Sequence, residues 1–249
     1  VNPQLRDVYK NMLGHGLNAL ALANWHEHYM HLNETSNMAV LSAAHAAEIL
    51  IKARIAQEHP LLIFDQIPKV TQSKSKLLEF EDLFANGRTL DYADLPPRLW
   101  AATGITVPAL ERYKNFGKLR NAIQHFAPPG RLDTEVSAFI YEVIDPFIHS
   151  CWDLYAIDYN EDSEPHAYLI KTLIQRGVSF KISPDATESW DFTCEVLDDE
   201  EKATPLFGRL NAEAKALRRK VRRAKAQKAR RKQGATTRRG SMPGGSSKK

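Results

Sequence analysis

The stretch from Asn37 to Pro60 constrains the fold of this chain most. It contains neither glycine nor proline before Pro60, and Val40, Leu41, Ala44, Ala47, Ile49, Leu50, Ile51 and Ile55 give it an almost continuously apolar surface. A helix that is apolar on nearly every side is stable only when neighbours cover it on nearly every side, so this segment predicts the middle helix of a bundle. Its start is marked by the turn-prone run Asn33 to Asn37, and it must stop before Pro60, whose ring disfavours helical geometry in the preceding residue.

The flanking sequence supplies partners. Leu5, Val8, Met12, Leu17, Leu20 and Leu22 fall near helical spacing and predict a first helix reaching about Met30. From Leu61 to Thr106, Pro68, Pro96 and Pro97 divide the chain, and only Lys76 to Ala85 has an amphipathic period, predicting a short helix between loops. Thr106 is placed to cap the next helix and Pro108 suits its first turn. Ala109, Leu110, Tyr113, Phe116, Leu119 and Ile123 carry that helix to the stop at Pro128-Pro129-Gly130. Another helix is expected from Asp133 or Thr134 to Trp152, bent at Pro146.

After the polar run Asn160 to Glu164, Tyr168 to Gln175 reads as a helix closed by Gly177. Val178 to Ile182 and Phe192 to Leu197 then read as strands. The expected architecture is therefore all-α: a helical bundle over residues 1–160, a small α+β appendage over 161–205, and a basic tail over 206–249. That tail is helix-prone to Lys232, with too few apolar residues for a buried face, and its composition past Gly234 implies disorder.

Charge is distributed unevenly along this plan. Of the 34 Lys and Arg residues, 16 lie from Arg209 to Lys249, where Glu213 is the single acid among the chain's 30. The body is thus near −11 and the tail near +15. So dense a positive segment attracts nucleic acid by releasing condensed counterions, although the acidic body offers it a second docking surface. No run is apolar enough to span a bilayer, and no basic-then-apolar leader opens the sequence, so a cytoplasmic protein without membrane contact is expected. Cys151 and Cys194 stand far apart with no metal-ligand or redox spacing and read as small buried hydrophobes.

Arg120 and His125 are the residue types that cleave a phosphodiester without metal. An imidazole moves protons near neutral pH, and a fixed guanidinium stabilises added charge on phosphate. Spacing alone does not single them out, because roughly two Arg/His pairs at such spacing arise by chance in a chain with this many histidines, and Arg54 to His59 is another. That second pair sits at a helix end against Pro60 and reads as a solvated terminus. Around the first, Asn121 lies one helical turn before His125, where it can orient the imidazole. Arg120 and His125 are offset by roughly 140° around an ideal helix. They converge only if Arg120 reaches around or if two chains share the site.

Lys118 to His125, together with Ser42 to Ala53, resembles the HEPN superfamily, whose motif is an Arg, four to six residues, then His, often with Asn directly after the Arg. The likeness extends from the first helix to Tyr159. It implies a homodimeric helical bundle in which two motifs line one cleft and RNA is cut by attack of the ribose 2′-hydroxyl on the adjacent phosphate, with no metal and no cofactor. His125 is then the general base or acid, Arg120 the phosphate ligand, Asn121 the residue that positions both, and Glu48 the anchor of Arg120; a plain Glu48 to Lys52 helix pair is the alternative for Glu48. A toxin or defence effector held by an antitoxin or other regulatory partner fits this resemblance. A non-catalytic dimeric nucleic-acid-binding or scaffold protein is the other reading. The family's nucleotidylated tyrosine two residues after the His is replaced by Ala127, which argues against control at that position.

Lesser signals read as structural. His26, His28 and His31 with Glu27 suggest a polar helix end rather than a metal cluster, since His26 points away from the other two. His45 reads as a hydrogen-bonded core or interface residue, with lining of the cleft as its second reading, and Phe64, Phe80, Phe84, Trp100 and Trp152 as core aromatics rather than base-stacking platforms.

Overall fold

A computed structural model describes residues 3–28, 35–69, 77–126, 133–160 and 166–239. Met30, His31, Ala127, the Pro128–Gly130 stop, most of the polar run before Pro165 and residues 240–249 lie outside the described residues. The chain is mostly helical, as expected.

A short α1 (Pro3–Arg6) leads into α2 (Val8–His28), which lies along α3 (Thr35–Glu58). That pairing is close because the facing residues are small. A Cβ added at Gly16 of α2 would stand 2.7 Å from Leu50 Cγ, and α3 presents Ala39, Ala43, Ala46 and Ala53 with no exposed surface. Besides α2, α3 packs against α5 (Leu95–Thr103), α6 (Leu110–Phe126) and α7 (Asp133–Phe139). The middle-helix expectation holds. Between α3 and α5 lie a two-strand antiparallel pair, β1 (Phe64–Gln66) and β2 (Arg88–Thr89), and α4 (Phe80–Asn86).

Helix α5 occupies a stretch that the prolines make look like loop. Pro96 and Pro97 sit in its first turn, where a missing N–H costs nothing, and Gly104 closes it at φ 73°. Pro146 likewise does not simply bend its helix. The turn before it widens into a π-turn (Ile140–Ile144), with the Asp145 N–H donating to the Ile140 carbonyl, and α8 (Asp145–Trp152) continues beyond it. The π-turn accommodates the ring and the missing donor.

The expected α+β appendage is corrected: neither of its strands forms. Val178, Phe180 and Ile182 are buried alternately with more exposed neighbours, so the period of two is real. It marks a single extended segment laid on the core, with no strand beside it among the described residues. The second supposed strand is helix α10 (Trp190–Val196), in which Trp190, Thr193 and then Leu197 fall at helical spacing on the buried side. Helix α9 (Ala167–Gln175) ends as the sequence predicts. Gly177 takes φ 68°, and the Val178 N–H reaches back to the Leu173 carbonyl at 2.9 Å. One hydrophobic core runs from α2 and α3 through α9 and α10 to Phe207, Leu210 and Ala214.

Those last residues belong to α12 (Pro205–Arg239), which follows the short α11 (Asp199–Lys202). Contrary to the sequence reading, α12 has a buried face in its first turns, and it remains helical through Gly234 to Arg239. Arg218 then ties it to α10 by two bonds to the Asp191 carboxylate at 2.7 and 2.8 Å.

Two buried polar clusters fasten the later segments to the bundle. Glu27 and His28, expected on a polar helix end, are buried. Arg176 pairs with Glu27, and Ser137 Oγ stands 2.9 Å from Arg176 Nη1 and 3.2 Å from His28 Nε2. Their partners come from far along the chain, so no local pattern announces them. Burial and the nearby Arg176 charge push His28 down to about 3, so its ring is neutral. Asp145, also buried, accepts the Ala156 and Lys181 N–H groups at 2.9 and 3.0 Å, and burial pushes its carboxyl up to about 6.

These two groups give opposite pH signatures. Between about 4 and 6 the unfolded chain ionises Asp145 while the folded chain keeps the proton, so this group's contribution to stability falls as pH rises. For His28 the unfolded chain takes up a proton below about 6.5 and the folded chain does not until about 3, so that contribution falls as pH falls. Urea titrations of Asp145→Asn across pH 4 to 6 should show its stability gaining on the parent by about 2 kcal/mol as pH rises. A constant difference across that range contradicts the assignment.

Candidate functional site

Helix α6 carries the motif and divides its side chains by face. Tyr113 and Phe116 are buried, the Phe116 ring stacked at 3.7 Å on Phe139 of α7. Lys114, Lys118, Asn121 and His125 are exposed. Their spacings of four, three and four residues put these four on one stripe of the helix, ending at its last turn.

Arg120 leaves α6 on another side, toward α3. Its Nη2 stands 3.7 Å from Glu48 Oε2, an ion pair too long for a hydrogen bond, while Nη1 donates to Asn121 Oδ1 at 3.2 Å. The guanidinium thus lies between the α3 carboxylate and the side chain of Asn121 on the exposed stripe. Asn121, expected to orient the imidazole, has its carbonyl oxygen on Arg120.

Glu48 does both of the things the sequence allows it. Its Oε1 accepts from Lys52 Nζ at 2.7 Å, and Lys52 also donates to Thr89 Oγ1 at 3.2 Å on β2. The lysine is the better-held cation, with a side chain only 5% exposed against 27% for Arg120. One carboxylate thus anchors a buried lysine and a partly open arginine. His45, expected in the core or an interface, is solvent-exposed one turn before Glu48.

Beside this cluster two tyrosines lock together. The Tyr92 and Tyr113 rings stack at 4.2 Å, the Tyr113 hydroxyl donates to the Tyr92 carbonyl at 2.9 Å, and the Tyr92 hydroxyl returns the bond at 3.4 Å. Burial holds both phenols well above their usual range, so they remain neutral supports. The pairing needs Gly117, because a Cβ there would stand 2.7 Å from Tyr92 Cε1. Tyr92 and Asn121 both line a cleft of about 570 Å³ between α5 and α6, with Trp100 on its far wall. Trp100 is 62% exposed rather than core, and Phe80 and Phe84 are exposed too.

The competing pair is structural. Arg54 bonds Glu58 at 2.7 Å, and the His59 ring caps the turn that follows by accepting the Leu61 N–H at 3.3 Å. Cys151 and Cys194 are free thiols, half-buried. Sequence reasoning read Lys52 as the helical partner of Glu48 and Trp100 as core, and missed Tyr92 and the lysine stripe. Of these only the stripe had a legible signal, the 114-118-121-125 spacing itself. No protein-family model, curated protein or solved structure matches the chain.

The unequal grip of Glu48 has a measurable consequence. Glu48→Gln strands the buried Lys52 ammonium and should cost about 3 kcal/mol in urea unfolding. Arg120→Gln should cost about 1 kcal/mol or less, because that pair is longer and partly solvated. Equal losses would contradict this hierarchy.

Proposed function

We propose that the chain is a metal-independent endoribonuclease acting as a homodimer, with Arg120, Asn121 and His125 at its centre. The observation that carries this reading is the guanidinium of Arg120, held between Glu48 and Asn121 and partly open, on the same helix end as the exposed His125. An arginine set to bind phosphate must be oriented and accessible, and Arg120 is both.

In this reading His125 takes the proton of the ribose 2′-hydroxyl as O2′ attacks phosphorus, and Arg120 stabilises the added negative charge. The P–O5′ bond breaks, and a second imidazole, His125 of the other protomer, protonates the departing O5′. The products are a 2′,3′-cyclic phosphate and a 5′-hydroxyl. The residue types carry this chemistry, and the HEPN resemblance supports it. A toxin or defence role, and a partner that restrains the enzyme, belong to the same proposal.

A second reading is favoured by α12. Lys215, Arg219, Lys220, Arg222 and Arg223 are exposed along it, so the chain can bind nucleic acid through this helix without cutting it. Residues 219–249 can be removed without touching Phe207, Leu210, Ala214 or the Arg218 pair with Asp191.

The two readings separate on cleavage of a single-stranded RNA in chelator. His125→Ala should lower the rate by roughly 10²–10⁴-fold with the fold intact, the usual worth of a positioned acid or base. Deleting 219–249 should mainly weaken RNA binding and flatten its salt dependence. If His125→Ala cuts as fast as the parent, His125 has no role in the chemistry. If neither chain cuts and only the deletion abolishes RNA binding, the second reading holds. Mixing the parent with His125→Ala protomers should silence the mixed dimers if one cleft uses an imidazole from each chain, and leave them half as active as the parent if each chain cuts alone.

A further inference from the structure

We infer that the cleft between α5 and α6 is a nucleobase subsite, receiving one unpaired nucleotide of the RNA strand whose neighbouring phosphate lies at Arg120 and His125. This rests on the nuclease reading above and adds to it where the strand runs and how it is held. The cleft's volume, about 570 Å³, lies within the range of small-molecule sites. Its walls are aromatic and apolar, with Tyr92 fixed by its stack on Tyr113 and Trp100 largely open to solvent. Such a surface covers the face of any base, which is how single strands are held without strict sequence readout.

Charge identifies the occupant. The body of the chain is strongly acidic, yet none of the described residues lining this cleft is a carboxylate, and Lys114 and Lys118 stand along one side. The two lysines are one helical turn apart and lead directly to Asn121, whose carbonyl oxygen is already bonded to Arg120. Lys114 is paired locally with Glu111 at 2.7 Å and Lys118 with Asn115 at 3.5 Å, both exposed contacts that a phosphate can replace. The amide nitrogen of Asn121 remains to donate to a base edge or ribose at the inner end of the cleft. An aromatic wall opposite a row of cations, ending at an arginine held for phosphate, matches a nucleotide: base against Trp100 and Tyr92, backbone along the lysines. A base must leave its stack to enter, so the substrate is single-stranded.

The test uses the full chain and a 2′-O-methyl RNA tetramer carrying 2-aminopurine. The tetramer cannot be cut by 2′-hydroxyl attack, and its fluorescence reports stacking of that base. The parent should bind it with quenching, and Trp100→Ala should lose the quenching and bind about ten-fold more weakly. Trp100→Phe should retain most of both. Lys114→Gln with Lys118→Gln should weaken binding and flatten its salt slope. Trp100 is exposed, so its truncation opens no core. Unchanged binding and quenching in the Trp100→Ala and lysine variants overturns the subsite. So does a Trp100→Ala chain that sediments as a monomer while binding the tetramer as the parent does, since the cleft is then covered by a second copy. Cleavage is read separately on unmodified RNA. A chain that cuts without dependence on Trp100 refutes the subsite alone, and one that binds as described but never cuts refutes the nuclease reading.

Discussion

Burial of α3 on nearly every side is the constraint from which the rest of the structure follows. A helix with Ala39, Val40, Ala43, Ala46, Leu50, Ala53 and Ile55 all fully enclosed cannot exist alone, and its small residues admit neighbours at short range. α2, α5, α6 and α7 take their places around it. Glu48 and Lys52 interrupt this apolar surface where α6 and β2 approach, and their charges are tolerable there because each finds partners: Lys52 on Glu48 and Thr89, Glu48 on Lys52 and Arg120. The anchor of the candidate site is thus also the group that makes the burial of Lys52 tolerable.

That coupling explains the division of labour on α6. Its buried face is fixed by Tyr113 and Phe116, which leaves the opposite stripe of Lys114, Lys118, Asn121 and His125 exposed on a rigid support. Arg120 bridges the two, with one nitrogen near the α3 carboxylate and the other on Asn121. A phosphate-binding arginine gains from such a hold, since less side-chain freedom is lost when the ligand arrives. The paired tyrosines extend the same rigidity to the cleft wall, and Gly117 is where the backbone makes room for them.

Features with a local physical cause were legible in the sequence. The extent of α3, the end of α9 at Gly177 and the exposed position of His125 near a helix end follow from periodicity, a left-handed glycine and nearby helix breakers. What depends on distant partners was not. Alternation in Val178 to Ile182 reports an extended chain but not whether a second strand lies beside it. Glu27 and His28 read only as a polar helix end because Arg176, which makes their burial tolerable, comes 149 residues after Glu27. Prolines misled at α5, where they open a helix, and at Pro146, which a π-turn accommodates. The motif residues were visible as a spacing, but the sharing of Glu48 between Lys52 and Arg120, and the cleft that Asn121 lines, exist only in three dimensions.

If the Arg120 to His125 segment cuts RNA through the ribose 2′-hydroxyl, as proposed, the chemistry of the product ends must show it. Incubation of the full chain with single-stranded RNA in excess chelator, followed by mass analysis of the fragments, should give 2′,3′-cyclic phosphates paired with 5′-hydroxyls. Intact RNA, or fragments ending in 3′-hydroxyl and 5′-phosphate, would contradict it.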